Sequence, residues 1–82
     1  MEIKISTYGN SNIAKEIVKN YNSFSGYNYT TYSPDFIHFY EDIKLAKRDF
    51  NRVYRLYKDK GAILNDEKTI FYKEVFIKLF VG

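Results

Sequence analysis

Apolar residues in this chain change their spacing repeatedly, and the order of those changes limits the fold more than any single motif. Over residues 2–8, Ile3, Ile5 and Thr7 alternate with Glu2, Lys4 and Ser6, the period-two pattern of a half-buried strand. Gly9-Asn10-Ser11-Asn12 is a turn cluster that also offers helix N-caps. Ile13, Ala14, Ile17, Val18 and Tyr21 then recur at helical spacing, with Lys15, Glu16, Lys19 and Asn20 opposite. That helix ends by residues 23–26, where Gly26 suits a C-terminal cap.

Residues 27–32, rich in Tyr and Thr, read as a strand, and residues 36–40 as an aromatic strand. Ser33-Pro34-Asp35 is turn chemistry between them, so the pair reads as a hairpin. Asp42 caps a long helix over residues 42–60, with Ile43, Ala46, Phe50, Val53, Tyr54 and Tyr57 as its packed face and Gly61 as its stop. Residues 69–81 read as one terminal strand, with Val75, Ile77, Leu79 and Val81 on one side and Glu74 and Lys78 on the other. A short extra strand over residues 62–64 turns back through Asn65-Asp66-Glu67-Lys68.

The order strand, helix, strand, strand, helix, strand predicts an α+β chain. Its expected form is a small two-layer sandwich of βαββαβ type (ferredoxin-like, or split βαβ). Four antiparallel strands would carry both helices on one face and leave the other face open. With 82 residues the chain makes one domain, 1–82, whose core is barely large enough for stability. There is no cysteine to add a disulfide or a thiolate zinc site; nine Tyr and seven Phe supply the bulk instead. No apolar run approaches the roughly 18 residues of a membrane span. Met1-Glu2-Ile3-Lys4 does not begin a signal peptide, so a cytoplasmic protein is expected. Asn28-Tyr29-Thr30 matches a glycosylation triplet, which without a secretion signal reads as chance.

Catalysis needs a group that titrates near working pH, an activated nucleophile or a metal. The only histidine, His38, falls inside a strand on the side shared with Phe36 and Tyr40, where it reads as structural. Asp35, Glu41 and Asp42 cluster at the hairpin-to-helix junction, but Asp42 is better used as a cap. Tyr8-Gly9-Asn10-Ser11 stands before a helix N-terminus and has one glycine where a phosphate loop needs several, so ordinary capping explains it. Neither an enzyme, a metal site nor a cofactor is expected.

Charge is distributed unevenly. Residues 44–60 hold seven Lys and Arg against two Asp, a local +5 in a chain of net +3, which leaves the remainder at −2. At about 100° per residue, Lys44, Lys47, Arg48, Asn51, Arg55 and Lys58 share an arc of about 100°, with Arg52 just outside it and Tyr54 at its border. Asp49 lies well away from this stripe. A face that serves solubility alone usually mixes the signs, so a docking surface for a negative partner is expected, either nucleic acid or acidic protein. The strand tyrosines Tyr8, Tyr27, Tyr29, Tyr32, Tyr40 and Tyr72 offer a second surface wherever they point away from the helices, for stacking on bases or anchoring a protein interface.

The strand order and length resemble the RNA-recognition motif, and Phe36-Ile37-His38-Phe39-Tyr40 resembles its third-strand aromatic segment. Ser33-Pro34-Asp35 stands where that family has a Lys/Arg-Gly start, and the hairpin turn is short. The similarity is topological. The function expected from these features is that of a small non-catalytic protein that docks on, or occludes, a larger protein or nucleoprotein complex with a negative surface. Small domains without reactive residues or a family signature often have such a role, inhibitors encoded by phages or mobile elements, anti-CRISPR proteins among them, being a common instance. Direct nucleic-acid binding is the alternative. The expected contact residues are Lys44, Lys47, Arg48, Arg52, Arg55, Lys58, Tyr54 and Tyr29. A homodimer is also expected if the apolar terminal strand lies at a sheet edge.

Overall fold

The computed structural model describes residues 2–22, 28–32 and 35–82, with side chains described over 2–20 and 36–82. The elements follow the chain as β1 (Ile3–Gly9), α1 (Ser11–Asn22), β2 (Asn28–Tyr32), β3 (Asp35–Tyr40), α2 (Ile43–Tyr57), a 3-10 turn (Lys58–Lys60), β4 (Ile63–Asn65), β5 (Thr69–Tyr72) and β6 (Val75–Val81). All strands join one antiparallel sheet in the order β2-β3-β1-β6-β5-β4. The architecture is the expected α+β two-layer sandwich, with both helices packed on one face. Among the described residues the sheet has six strands instead of four, so the ferredoxin-like arrangement is not matched exactly.

The difference arises in the last third of the chain. Residues 69–81 are not one strand but a hairpin, β5 and β6, turning at Lys73-Glu74 with Tyr72 opposite Val75. The reason lies in the phase of the buried residues: Ile70 and Tyr72 face the core, and so do Val75, Ile77 and Leu79. A continuous strand cannot put both even and odd positions on one face, so the chain reverses between them. Lys73 accepts a positive φ of 52° to make that reversal. A second correction follows: β6 lies between β1 and β5, in the sheet interior, and the edges are β2 and β4. The terminal strand is therefore not available for edge pairing.

Each helix is started by the cap its sequence provides. The Asn10 side-chain oxygen accepts from the backbone N–H groups of Asn12 and Ile13 at 3.1 and 3.2 Å, and the Asp42 carboxylate accepts from Lys44 N–H at 2.7 Å. Gly61, at φ 106°, ends the 3-10 turn in the left-handed region. Gly9, at φ 123°, closes β1 where the backbone of the β5–β6 turn lies against it; a Cβ there would sit 2.1 Å from the Glu74 carbonyl oxygen. That close approach and the capping by Asn10 account for the Gly9-Asn10 pair. The expected turn at Ser33-Pro34 and the Gly26 cap lie outside the described residues.

The core fills the space between the layers. Ile3, Ile5 and Thr7 of β1 face it with Phe36, His38 and Tyr40 of β3 and Val75, Ile77 and Leu79 of β6. Ala14, Ile17 and Val18 of α1 and Ala46, Phe50, Val53 and Tyr57 of α2 close it from above. Two of the tyrosines bring hydroxyls into this interior and satisfy them there: Tyr40 donates to Asp49 at 2.9 Å, and Tyr57 accepts from the Asn20 amide at 3.0 Å.

Candidate binding surfaces

The basic stripe is where the helix periodicity puts it. Because Ala46, Asp49, Phe50, Val53 and Tyr57 are buried against the sheet, Lys44, Lys47, Arg48, Asn51, Arg52, Arg55 and Lys58 must project outward, and all are exposed. Tyr54 is half-buried at the border of the stripe. Lys44, Lys47, Arg55 and Lys58 enter no ion pair among the described residues. Lys47 overlooks a groove of about 380 Å³ between α2 and the β4–β5 turn, into which Asp66 and Glu67 also face. Those two residues set carboxylates on the wall of the groove facing Lys47. Leu56, 50 % exposed, lies outside this arc, beyond Arg52 on the flank of the helix opposite Tyr54.

Tyr29 lies in β2, where its backbone stands opposite His38; its side chain is outside the described ones. It is not brought together with the stripe by any contact among the described residues. Asp49, placed away from the stripe by the helical wheel, proves to be in the core. Its position between Ala46 and Phe50 on the packed face was the available signal.

The second surface is the open face of the sheet, and its composition differs from the expectation. Of the strand tyrosines, Tyr40 and Tyr72 point into the core and Tyr8 is half-buried on the open face, while the side chains of Tyr27, Tyr29 and Tyr32 lie outside the described ones. Phenylalanines take the exposed places instead. Phe76 and Phe80 are 41 % and 45 % exposed, Phe39 and Phe71 half-buried, and Ile63 on β4 is 64 % exposed. The signal was again phase: once Val75, Ile77 and Leu79 enter the core, Phe76, Lys78 and Phe80 must face out.

Among the buried groups, His38 and Asp49 are the titratable pair of interest. Burial holds the His38 imidazole at about 4, against an opposing attraction from the Asp49 carboxylate. The Tyr40 hydroxyl is pushed well above its ordinary range, first by burial and then by its hydrogen bond to Asp49. The imidazole is therefore neutral and fully buried, and the bond that ties β3 to α2 beside it is that of Tyr40 to Asp49. Among the described residues no three His, Cys, Asp or Glu side chains gather as metal ligands would, and no helix is long and apolar enough to cross a membrane. No protein-family model, curated protein or solved structure matches the chain.

Proposed function

We propose that this protein is a small, non-catalytic docking protein that acts in the cytoplasm by covering a negatively charged surface of a larger macromolecule, in the manner of an inhibitor of a nucleoprotein complex. The observation that carries the reading is the outer side of α2, where Lys44, Lys47, Arg55 and Lys58 are exposed together without carboxylate partners among the described residues. Cations grouped on one rigid rod raise the local potential and speed the approach of an anionic partner. Tyr54 at their border adds apolar area that a partner would bury. An inhibitor encoded by a phage or mobile element, anti-CRISPR-like in its mode of action, is the class that this build suits.

Direct binding to nucleic acid is the second reading, favoured by the aromatic open face of the sheet. The two separate in one experiment: capture of partners from cell lysate on immobilised protein, with and without nuclease, using wild type and a Lys47→Glu/Arg55→Glu/Lys58→Glu variant. Docking on a protein surface predicts partners that survive nuclease and are lost with the variant. Loss of every partner on nuclease treatment contradicts it and leaves the nucleic-acid reading.

A further inference from the structure

We propose that the open face of the sheet binds single-stranded nucleic acid, its aromatic rings stacking on bases while Lys4 and Lys78 meet phosphates. The inference rests on the nucleic-acid reading and deepens it, since it assigns the contact to the layer opposite the basic helix.

The strand register arranges this face in rows. Tyr8 of β1, Phe76 of β6, Phe71 of β5 and Ile63 of β4 stand directly opposite one another across four strands. Tyr8 and Phe76 have ring centroids 5.7 Å apart, and Phe71 meets Phe76 edge-on at 5.1 Å. Four residues along β6, a spacing of about 13 Å, a second row runs Phe39, Lys4, Phe80 across β3, β1 and β6. The row between them is Ile37, Ser6, Lys78, Thr69. Cations thus alternate with rings: the Lys4 ammonium is 5.2 Å from the centre of Phe80, and that of Lys78 is 6.0 Å from the centre of Tyr8. Among the described residues Lys4 is paired with the Glu2 carboxylate at 3.4 Å.

An apolar patch with lysines set among its rings selects its occupant by chemistry. The buried centre of a protein interface is depleted in charge, whereas here Lys4 stands within a ring row and Lys78 between the two rows. A second copy of the chain would bury the lysines of both patches in one interface centre, where charge is disfavoured. A single strand supplies what the face lacks: flat rings in alternation with anions, each base presenting a π-face to a side chain. Duplex bases are already stacked, so the face discriminates against them. Between the rows, a depression of about 300 Å³ lined by Tyr8, Asn65, Thr69, Phe71, Phe76 and Lys78 combines ring walls with amide, hydroxyl and ammonium donors, the combination that holds the edge of a base.

The test is a fluorescence-anisotropy titration with a labelled oligothymidylate of about 12 nucleotides and a matched duplex, over a range of salt. Tighter binding of the single strand is expected. Phe76→Ala and Phe80→Leu should each weaken it about tenfold, and Lys4→Gln/Lys78→Gln should lower the salt slope by about 1.4, the share of two phosphates. Phe80→Leu keeps apolar bulk on an exposed position, so loss of binding there reports the ring and not the fold. Absence of any nucleic-acid binding overturns both this site and the nucleic-acid reading. Single-strand binding that survives the Phe and Lys variants but is lost in Lys47→Glu/Arg55→Glu overturns the sheet site alone, and so does equal affinity for duplex.

Discussion

The Tyr40 hydroxyl donates a 2.9 Å hydrogen bond to a carboxylate oxygen of Asp49, joining β3 to α2 through the middle of the core. Both residues are buried, so neither can turn to water if the other is removed. Tyr40→Phe leaves the carboxylate one donor short at nearly constant volume. Hydrogen bonds to charged groups contribute about 1.5–3 kcal/mol, and a loss of that size in unfolding free energy is expected, read as a lower denaturant midpoint at constant m-value. A change below about 0.5 kcal/mol would show that Asp49 does not depend on this bond.

His38 makes stability depend on pH. Its value is about 4 when folded and near 6.5 when free, so between these the unfolded chain binds the extra proton. The contribution is fully present above about pH 6.5, falls as pH drops through that range and is lost by about pH 4. Over the window this amounts to about 2–3 kcal/mol. Denaturation curves at pH 7 and pH 4.5 should show the drop in wild type and a smaller one in His38→Gln. Equal drops in the two proteins would assign the acid sensitivity to other groups.

Gly9 is required by both its φ of 123° and the 2.1 Å approach of its would-be Cβ to the Glu74 carbonyl. Gly9→Ala should cost at least about 2 kcal/mol, because backbone has to move in β1 or in the β5–β6 turn. Thermal unfolding checks it; a variant as stable as wild type would place the turn further away than described.

Asp66 and Glu67 occupy φ of 54° and 58° in the β4–β5 turn, where Lys68 N–H donates to the Asn65 carbonyl at 3.2 Å. Both central positions are left-handed, the geometry that Asn-Gly favours. Asp66→Asn/Glu67→Gly should therefore raise stability by about 1 kcal/mol, or about 4–8 °C in Tm for a domain of this size. A fall in Tm would indicate that the acidic side chains contribute more to the groove beside Lys47 than the backbone strain costs.

The sequence made much of the fold legible because most elements bury one face only. Ile3, Ile5 and Thr7, and again Ala46, Phe50, Val53 and Tyr57, carry periods that permit one secondary structure each, and all of these residues are buried. The β5–β6 reversal was hidden because Lys73-Glu74 contains none of the usual turn formers; only the phase shift between Tyr72 and Val75 reveals it. The basic face of α2 was legible, since a helix displays its outer residues without reference to neighbours. The aromatic rows were not. Which of Phe71, Phe76 and Phe80 lie side by side depends on strand register, a property of pairing across distant segments. In sequence Asp49 is merely remote from the stripe, because its partner Tyr40 is supplied by another element.

The central claim, that the outer side of α2 is a contact surface, is tested most directly by reversing its charge. The partner recovered by wild-type protein is titrated against wild type and against Lys44→Glu/Lys47→Glu/Arg55→Glu/Lys58→Glu, with circular dichroism and Tm confirming that both are folded. These side chains are exposed and outside the core, so the fold should be retained. The account predicts an affinity at least about tenfold lower for the variant, with the difference shrinking as salt rises. Equal affinity in a folded variant would contradict it.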